Sequence, residues 1–242
     1  VQNQVEKVQA WLDTPVLGDT LVETTYSGYR DFGGVTFPGH IVRTQGDHPV
    51  LDVTVSEVTL NPAADVAVPD EVKAFSPAPA PVNVQTLANG VYYLTGTNAH
   101  TIAIDQSDHI VAVEAPTNEA RSLAVIAKIK ETIPNKPIRY VINSHVHFDH
   151  SGGLRTYVDE GAIVVTHRMN QPYFELAWAA PRTLNPDRLA QSKKPPKFEE
   201  VTERHVLTDR NRNIEMHSIA NSGHNDAFLM VYLPKEKILV QG

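Results

Sequence analysis

The stretch "NSHVHFDHSGG", residues 143–153, is the most informative part of this chain, because it holds four side chains that bind metal ions well. His145, His147, Asp149 and His150 fall within six positions, in the pattern H-x-H-x-D-H. If the loop turns between them, the first two can converge on one ion, and the adjacent last two can diverge toward a second. Imidazole and carboxylate ligands together suit Zn²⁺, and also Mn²⁺ or Fe²⁺. A polar loop of surface histidines is the alternative, which four ligand groups in six positions disfavour.

The segments on either side of this stretch indicate an α/β fold. "IRYVIN", residues 138–143, is a compact β-branched run typical of a buried strand, so the histidines follow a strand at its C-terminal end, where α/β folds place their sites. Ser151, Gly152 and Gly153 allow a tight turn close to the ions. "GGLRTYVDEG" then predicts a short helix, and "AIVVTH" predicts another strand.

The preceding segment predicts strands followed by a helix. "GVYYLTG", "HTIAID" and "HIVAVEA" read as three successive strands. Residues 117–133 carry apolar side chains at helical spacing, with Thr117 as the predicted N-cap, and Pro134 and Pro137 end the helix. Strands and helices that alternate after an initial meander predict an α/β layered domain.

The domain organisation is predicted from a change in composition. "FSPAPAPVN" has prolines at alternate positions, which favours extended chain, and we interpret residues 76–81 as a linker. A stiff surface loop within one domain is the alternative. Residues 1–75 are then a β-rich accessory domain, and residues 82–242 a catalytic domain.

The accessory domain carries no chemical motif. A helix-like segment at about 3–13 precedes residues 15–70, where glycines and prolines separate β-rich runs, as in a small antiparallel sheet. We expect a structural or substrate-shaping role. A phase slip in "LDVTVSEVTL" suggests a β-bulge. The apolar residues of period two are Leu51, Val53 and Val55, and those in the opposite phase are Val58 and Leu60.

Composition excludes several classes of function. The formal charge of −7 over 242 residues disfavours nucleic acid, and no apolar run is long enough to cross a bilayer. The absence of cysteine excludes disulfides, thiolate ligands and a cysteine nucleophile. We expect a small-molecule substrate and neither nucleic acid nor a membrane as partner, whereas an oligomer stays open. The start at Val1 without Met favours a processed, periplasmic or secreted protein over a cytoplasmic one.

H-x-H-x-D-H followed by Ser-Gly-Gly resembles the signature of the metallo-β-lactamase-fold hydrolases. The resemblance covers about residues 82–242 and includes a second motif in register, "NSGHNDAFLMVYLPKEKILVQG" at 221–242. It implies an αββα sandwich that binds two metal ions. It also implies their ligands: His145, His147 and His224 for the first ion, and Asp149 and His150 for the second.

The resemblance further implies ligands that would follow Gly242. In many members of the family this strand ends in Gly-Asp, and that aspartate bridges both ions, while a later histidine completes the second site. We therefore expect that the sequence lacks the C-terminal part of the family fold. The common subclass of β-lactamases places a cysteine on the second ion. Without cysteine, the chain looks more like glyoxalase II, lactonases and lactamase-like members that use only nitrogen and oxygen ligands.

The implied function is a zinc-dependent hydrolase, with two zinc ions in the complete protein and iron or manganese as alternatives. A metal-activated water would attack an ester, thioester, lactone or β-lactam bond. Asp149 would either bind the second ion or orient the nucleophile. The alternatives are a single-iron dioxygenase-type member of the same fold and a catalytically inactive metal-binding or interaction protein.

Four further polar residues are weaker candidates. His167 ends a predicted strand near the same edge, and His100 begins one; each is either a support for the site or a capping or solvated histidine. Asn225 and Asp226 either orient His224 or cap its turn.

Aromatic residues at 171–201 offer two readings. Tyr173, Phe174 and Trp178 either pack a helix onto the core or form an apolar wall for substrate, and we favour the wall.

Overall fold

The computed structural model describes most of the chain and divides it into two compact units. The described residues are 3–63, 67–73 and 81–242. The first unit takes in Val1–Thr14 and Asp19–Ala78, and the second Pro15–Gly18 and Pro79–Gly242. Except for Pro81, the predicted linker lies outside the described residues, so its boundaries stay a prediction.

The first unit is a small β structure. Four antiparallel strands pair in the order β1-β2-β5-β6, and β3 pairs with β4. Its elements are β1 (Lys7–Thr14), β2 (Gly18–Ser27), β3 (Arg30–Asp31), β4 (Thr36–Phe37), β5 (His40–Gln45), β6 (His48–Thr54) and the short helix α1 (Asp70–Lys73).

The helix predicted at about 3–13 is wrong, because residues 7–13 lie in strand β1 and residues 3–6 form neither a helix nor a strand. The apolar residues of this segment suit helical spacing and alternation equally, and pairing with β2 decides between them. Lys7 Nζ lies 2.7 Å from Glu23 Oε1, and Gln9 donates to Glu23 Oε2 at 2.8 Å, so both side chains bridge the two strands.

The bulge predicted in "LDVTVSEVTL" is also wrong. Strand β6 ends at Thr54, and the next carbonyl, of Val55, accepts a hydrogen bond from the Arg30 side chain. Val58 and Leu60 therefore lie beyond the strand. The register irregularity between β5 and β6 falls instead directly after Arg43.

The second unit contains a seven-stranded and a four-stranded sheet. The seven strands run in the order β13-β12-β11-β10-β9-β8-β7, and the four in the order β14-β15-β16-β17. The strands are β7 (Asn83–Ala88), β8 (Val91–Thr95), β9 (Thr101–Asp105), β10 (Ile110–Val113), β11 (Ile138–Ile142), β12 (Ile163–His167), β13 (Phe198–Val201), β14 (Arg204–Thr208), β15 (Asn213–Ser218), β16 (Leu229–Leu233) and β17 (Ile238–Val240). The helices are α2 (Glu119–Thr132), α3 (Phe148–Ser151), α4 (Leu154–Asp159), α5 (Gln171–Ala179) and α6 (Arg188–Ser192). Among the helices of the described ranges, none combines the length and apolar content needed to cross a membrane.

Alternate side chains of the larger sheet pack into two separate hydrophobic cores. In β10, Ile110 and Ala112 pack with helices α2, α4 and α5, whereas Val111 and Val113 pack against the smaller sheet. This alternation arises because successive side chains of a strand point to opposite faces. The unit is therefore layered as helices, sheet and sheet, an α/β fold as predicted.

The strands and helices predicted between residues 90 and 167 are all present. Strand β7 was not predicted, and the N-cap of α2 differs from expectation. Asn118 caps the helix by accepting a hydrogen bond from Arg121 N at 2.9 Å, whereas Thr117 has a left-handed φ of 57°. Asparagine is among the best N-cap residues, which explains the shift by one position.

Two of the three aromatic residues of α5 pack into the core. Phe174 is fully buried, and Trp178 stacks between Phe174 and Phe198 at centroid distances of 5.3 and 5.6 Å. The prediction of an apolar substrate wall is therefore wrong for these two side chains. Tyr173 is partly exposed.

Candidate metal centre

The candidate site lies where parallel strands of the larger sheet end. Strands β10, β11 and β12 run parallel, so their carboxyl ends meet at one edge of the sheet. The histidine-rich loop follows β11. The loop between β15 and β16 brings in His224, and Leu229 N donates to Ser144 O at 2.9 Å beside it.

Three histidines converge at this edge. The ligand nitrogens of His145, His147 and His224 all lie within 4.8 Å of one another. His145 Nε2 and His224 Nε2 are 3.0 Å apart. Two nitrogens that bind one tetrahedral Zn²⁺ at 2.0–2.1 Å would be roughly 3.3 Å apart, which is close to the 3.0 Å between His145 Nε2 and His224 Nε2. The three residues therefore fit a metal ion.

His145 is held ready to bind a metal. It is fully buried, and Ser144 Oγ lies 2.8 Å from its Nδ1, which leaves Nε2 facing the other histidines. Burial, followed by the positive charge that His150, His147 and His224 would carry, lowers the pKa of His145 to about 3. The imidazole is thus neutral at pH 7, as metal ligation demands.

His150 lies between two carboxylates. Its Nδ1 is 3.3 Å from Glu114 Oε2, and its Nε2 is 3.4 Å from Asp149 Oδ2. Burial lowers the pKa of His150, but Glu114 and then Asp149 raise it more, so it lies above its ordinary value. A histidine with one nitrogen on a buried carboxylate keeps the other for a metal.

The His150 ring packs against His145, with ring centroids 4.4 Å apart, but neither Asp149 nor His150 belongs to the group whose ligand atoms could share one ion. Over residues 3–63, 67–73 and 81–242, the three histidines are the one group of three or more ligand-bearing side chains close enough to share an ion. The assignment of Asp149 and His150 to a second ion stays a prediction.

Glu114 is the main residue that the sequence did not reveal. It directly follows β10, is buried, and has a left-handed φ of 71°. Its Oε1 accepts a hydrogen bond from Ser144 N at 3.0 Å, while Oε2 faces His150. The available signal was an acidic residue at the end of the apolar run "VAVEAP".

The other candidates have local roles. His167 Nδ1 accepts a hydrogen bond from Met169 N at 3.3 Å, so this histidine caps the turn after β12. Asn225 Oδ1 accepts from Ala227 N at 2.9 Å and caps the turn after His224, and Asp226 is exposed.

His100 lies beside the site. Its ring packs edge-on against Tyr93 at 5.1 Å, and it lines a cavity of about 180 Å³. Glu114, His150 and Gly242 also line this cavity. His100 Nδ1 is buried without a hydrogen-bond partner among the described residues.

Comparisons with known proteins identify the family and the fold. The family model described as the metallo-beta-lactamase superfamily matches residues 115–242. No curated protein matches the chain. Among solved structures, DIM-1 metallo-beta-lactamase has 17% identity and a TM-score of 0.51, over 67% of this chain and 69% of that one. A metallo-beta-lactamase from Pontibacter korlensis has 18% identity and a TM-score of 0.50, over 65% and 69%. At such identities the likeness establishes the fold.

Proposed function

The chain belongs to the metallo-beta-lactamase superfamily, and we propose that it is a zinc-dependent hydrolase of ester, thioester, lactone or β-lactam bonds. Membership of this superfamily supports a metal-dependent hydrolase. His145, His147 and His224 hold the first zinc ion. Asp149 and His150 provide ligands for a second.

One observation carries this proposal. Residues 79 positions apart in sequence, His145 and His224, place their Nε2 atoms 3.0 Å apart, with His147 alongside. Neutral imidazoles are suitable ligands for zinc, and three of them leave the fourth tetrahedral position for a further ligand. His147 and His224 are exposed, so a substrate can reach the cluster from solvent.

The bound metal would supply Lewis acidity and lower the pKa of a water molecule. The chain's own residues provide the remaining groups. Asp149 has a side chain that is 41% exposed, so its carboxylate can orient an attacking water and accept its proton at Oδ2. Glu114 holds His150 Nδ1, so that Nε2 stays directed toward Asp149.

The proposed bonds share one requirement. In each of them water attacks a carbonyl carbon, and negative charge develops on the carbonyl oxygen, so one electrophilic site serves all four. Such a mechanism needs no serine or cysteine nucleophile, which suits a chain without cysteine.

A panel of chromogenic substrates tests this proposal. The zinc-loaded chain should hydrolyse at least one ester, thioester, lactone or cephalosporin, lose that activity to a chelator, and regain it when zinc is restored. His224→Ala should abolish the activity. The matched control is His217→Ala, since His217 lies on neighbouring strand β15 and contacts Glu215 instead of the cluster. Activity that survives both the chelator and His224→Ala would refute the proposal.

A further inference from the structure

A buried chain of polar side chains connects the two loops that carry the histidines. Asn143, Thr166 and Asn170 are each at most 2% exposed. They come from three places: the end of β11, strand β12 and the start of α5. Buried polar groups are costly unless they are hydrogen-bonded, so a connected row of three calls for a physical explanation.

The hydrogen bonds run through the three residues in one direction. Asn170 Nδ2 donates to Thr166 Oγ1 at 3.1 Å, and Thr166 Oγ1 donates to Asn143 Oδ1 at 3.2 Å. Asn143 Nδ2 then donates to His145 O at 2.7 Å and to His150 O at 3.4 Å. This series of hydrogen bonds therefore ends on the backbone of the histidine-rich loop.

The other end of this series of hydrogen bonds reaches the loop of His224. Asn170 Nδ2 also donates to the carbonyl of Ala227 at 3.2 Å, three residues after His224. One amide group is thus shared between Thr166 and the second loop. Asn170 therefore contacts the loop of His224 directly, and it reaches the loop of His145 through Thr166 and Asn143.

The side chain of Asn170 makes these hydrogen bonds instead of capping its own helix, α5. It occupies the N-cap position of α5, where asparagine ordinarily stabilises a helix by accepting a backbone N–H. Here its side chain makes no capping hydrogen bond, and its φ and ψ of −81° and −29° are helical. A residue that forgoes a stabilising local role for a longer connection is a candidate for a functional one.

We propose that Asn170, acting through Thr166 and Asn143, is a positioning residue that holds the His224 loop in register with the His145 loop for metal binding. The proposal rests on the proposed function, since it concerns the same three histidines. Groups that orient metal ligands typically contribute 10- to 100-fold to metal affinity.

Two variants and one control test the proposal. Asn170→Leu keeps the size of the side chain and removes the amide. Thr166→Val removes the central hydroxyl and suits a strand, so it keeps the test available if the first variant does not fold. The control is Gln106→Leu: Gln106 is also 1% exposed and donates to a backbone carbonyl, that of Arg212, but it lies at the opposite edge of the sheet.

The first readout is metal binding. Zinc affinity, measured by competition with a chromogenic chelator, should fall about 10- to 100-fold in both variants and less than about threefold in the control. The visible absorption of the Co²⁺-substituted protein should change in both variants and not in the control. Unchanged affinity and an unchanged Co²⁺ spectrum in both variants would overturn the proposal.

The second readout needs no metal. Hydrogen exchange of the metal-free protein should speed up in both variants at 143–150 and at 224–229 together. If the unmodified chain binds no metal, the proposed function fails, and exchange alone then decides whether the link exists. Faster exchange confined to α5, or no change, would overturn the link.

Discussion

Gly152→Ala should destabilise the protein because backbone of another segment occupies the space that a side chain needs. A Cβ at Gly152 would lie 2.0 Å from the carbonyl oxygen of Thr117 and 2.7 Å from that of Phe148. Neither oxygen belongs to a side chain that could rotate away. To relieve these contacts, the histidine-rich loop must move away from the loop that precedes α2 by more than about 1 Å.

The size of the effect follows from this geometry. Overpacking typically costs about 1–3 kcal/mol, and contacts with fixed backbone favour the upper end, about 3 kcal/mol. For a chain of this length, each kcal/mol lowers the melting temperature by about 2–4 °C, so we expect a fall of about 6–12 °C. Zinc affinity should fall too, because His150 lies two residues away and its carbonyl accepts a hydrogen bond from Ala115 N at 3.2 Å.

Gly223→Ala provides the matched control. Gly223 also flanks a candidate ligand, yet a Cβ there would meet no atom within 4 Å, and its φ is not left-handed. Thermal unfolding followed by circular dichroism should show Gly223→Ala within about 2 °C of the unmodified chain. The reasoning is refuted if Gly152→Ala melts as high as the unmodified chain, or if both variants fall equally.

Three further predictions concern charge. The folded pKa of His145, about 3, lies below its unfolded value, so between about pH 6.5 and 3 this histidine binds a proton only in the unfolded state. The free energy of unfolding of the metal-free chain should therefore fall by about 1 kcal/mol per pH unit as the pH drops through this window. In urea titrations at pH 6.5 and 5, His145→Gln should show a shallower fall. Asp187→Asn should cost about 3 kcal/mol of unfolding free energy, because it breaks the largely buried pairing of Asp187 with Arg155 at 2.5 and 2.8 Å. Glu131→Gln removes a more exposed pair with Lys128 and should cost under about 1 kcal/mol. Equal losses in urea unfolding would contradict this expectation. Asp149→Ala should abolish hydrolysis while leaving one zinc bound, and a variant that kept full activity in the chromogenic assay would remove Asp149 from the mechanism.

The parts of the site that could be predicted from sequence are those that one local segment carries. His145, His147, Asp149 and His150 follow one strand, so their spacing alone indicated metal chemistry. His224 lies far away in sequence and entered only through the family resemblance.

The supporting residues could not be predicted in the same way. Thr166 contacts Asn143 across 23 positions of sequence, and Asn170 contacts Ala227 across 57. Such distant contacts leave no local pattern in the sequence. Glu114 likewise reaches Ser144 across 30 positions.

The errors in the fold have physical reasons of the same kind. Strand β1 fits either period until β2 pairs with it. Trp178 could pack on the core or face solvent, and stacking between Phe174 and Phe198 decides for the core. In both places tertiary packing, which sequence spacing does not report, decided the outcome.

The most direct test of the account is the metal content of the purified 242-residue chain, measured by elemental analysis beside a His145→Ala, His224→Ala double variant. The account predicts at least one zinc ion per unmodified chain and none in the double variant. Iron in place of zinc would keep the three-histidine site and contradict the hydrolase. No metal in the unmodified chain, or equal metal in both proteins, would contradict the central claim that His145, His147 and His224 form a metal centre.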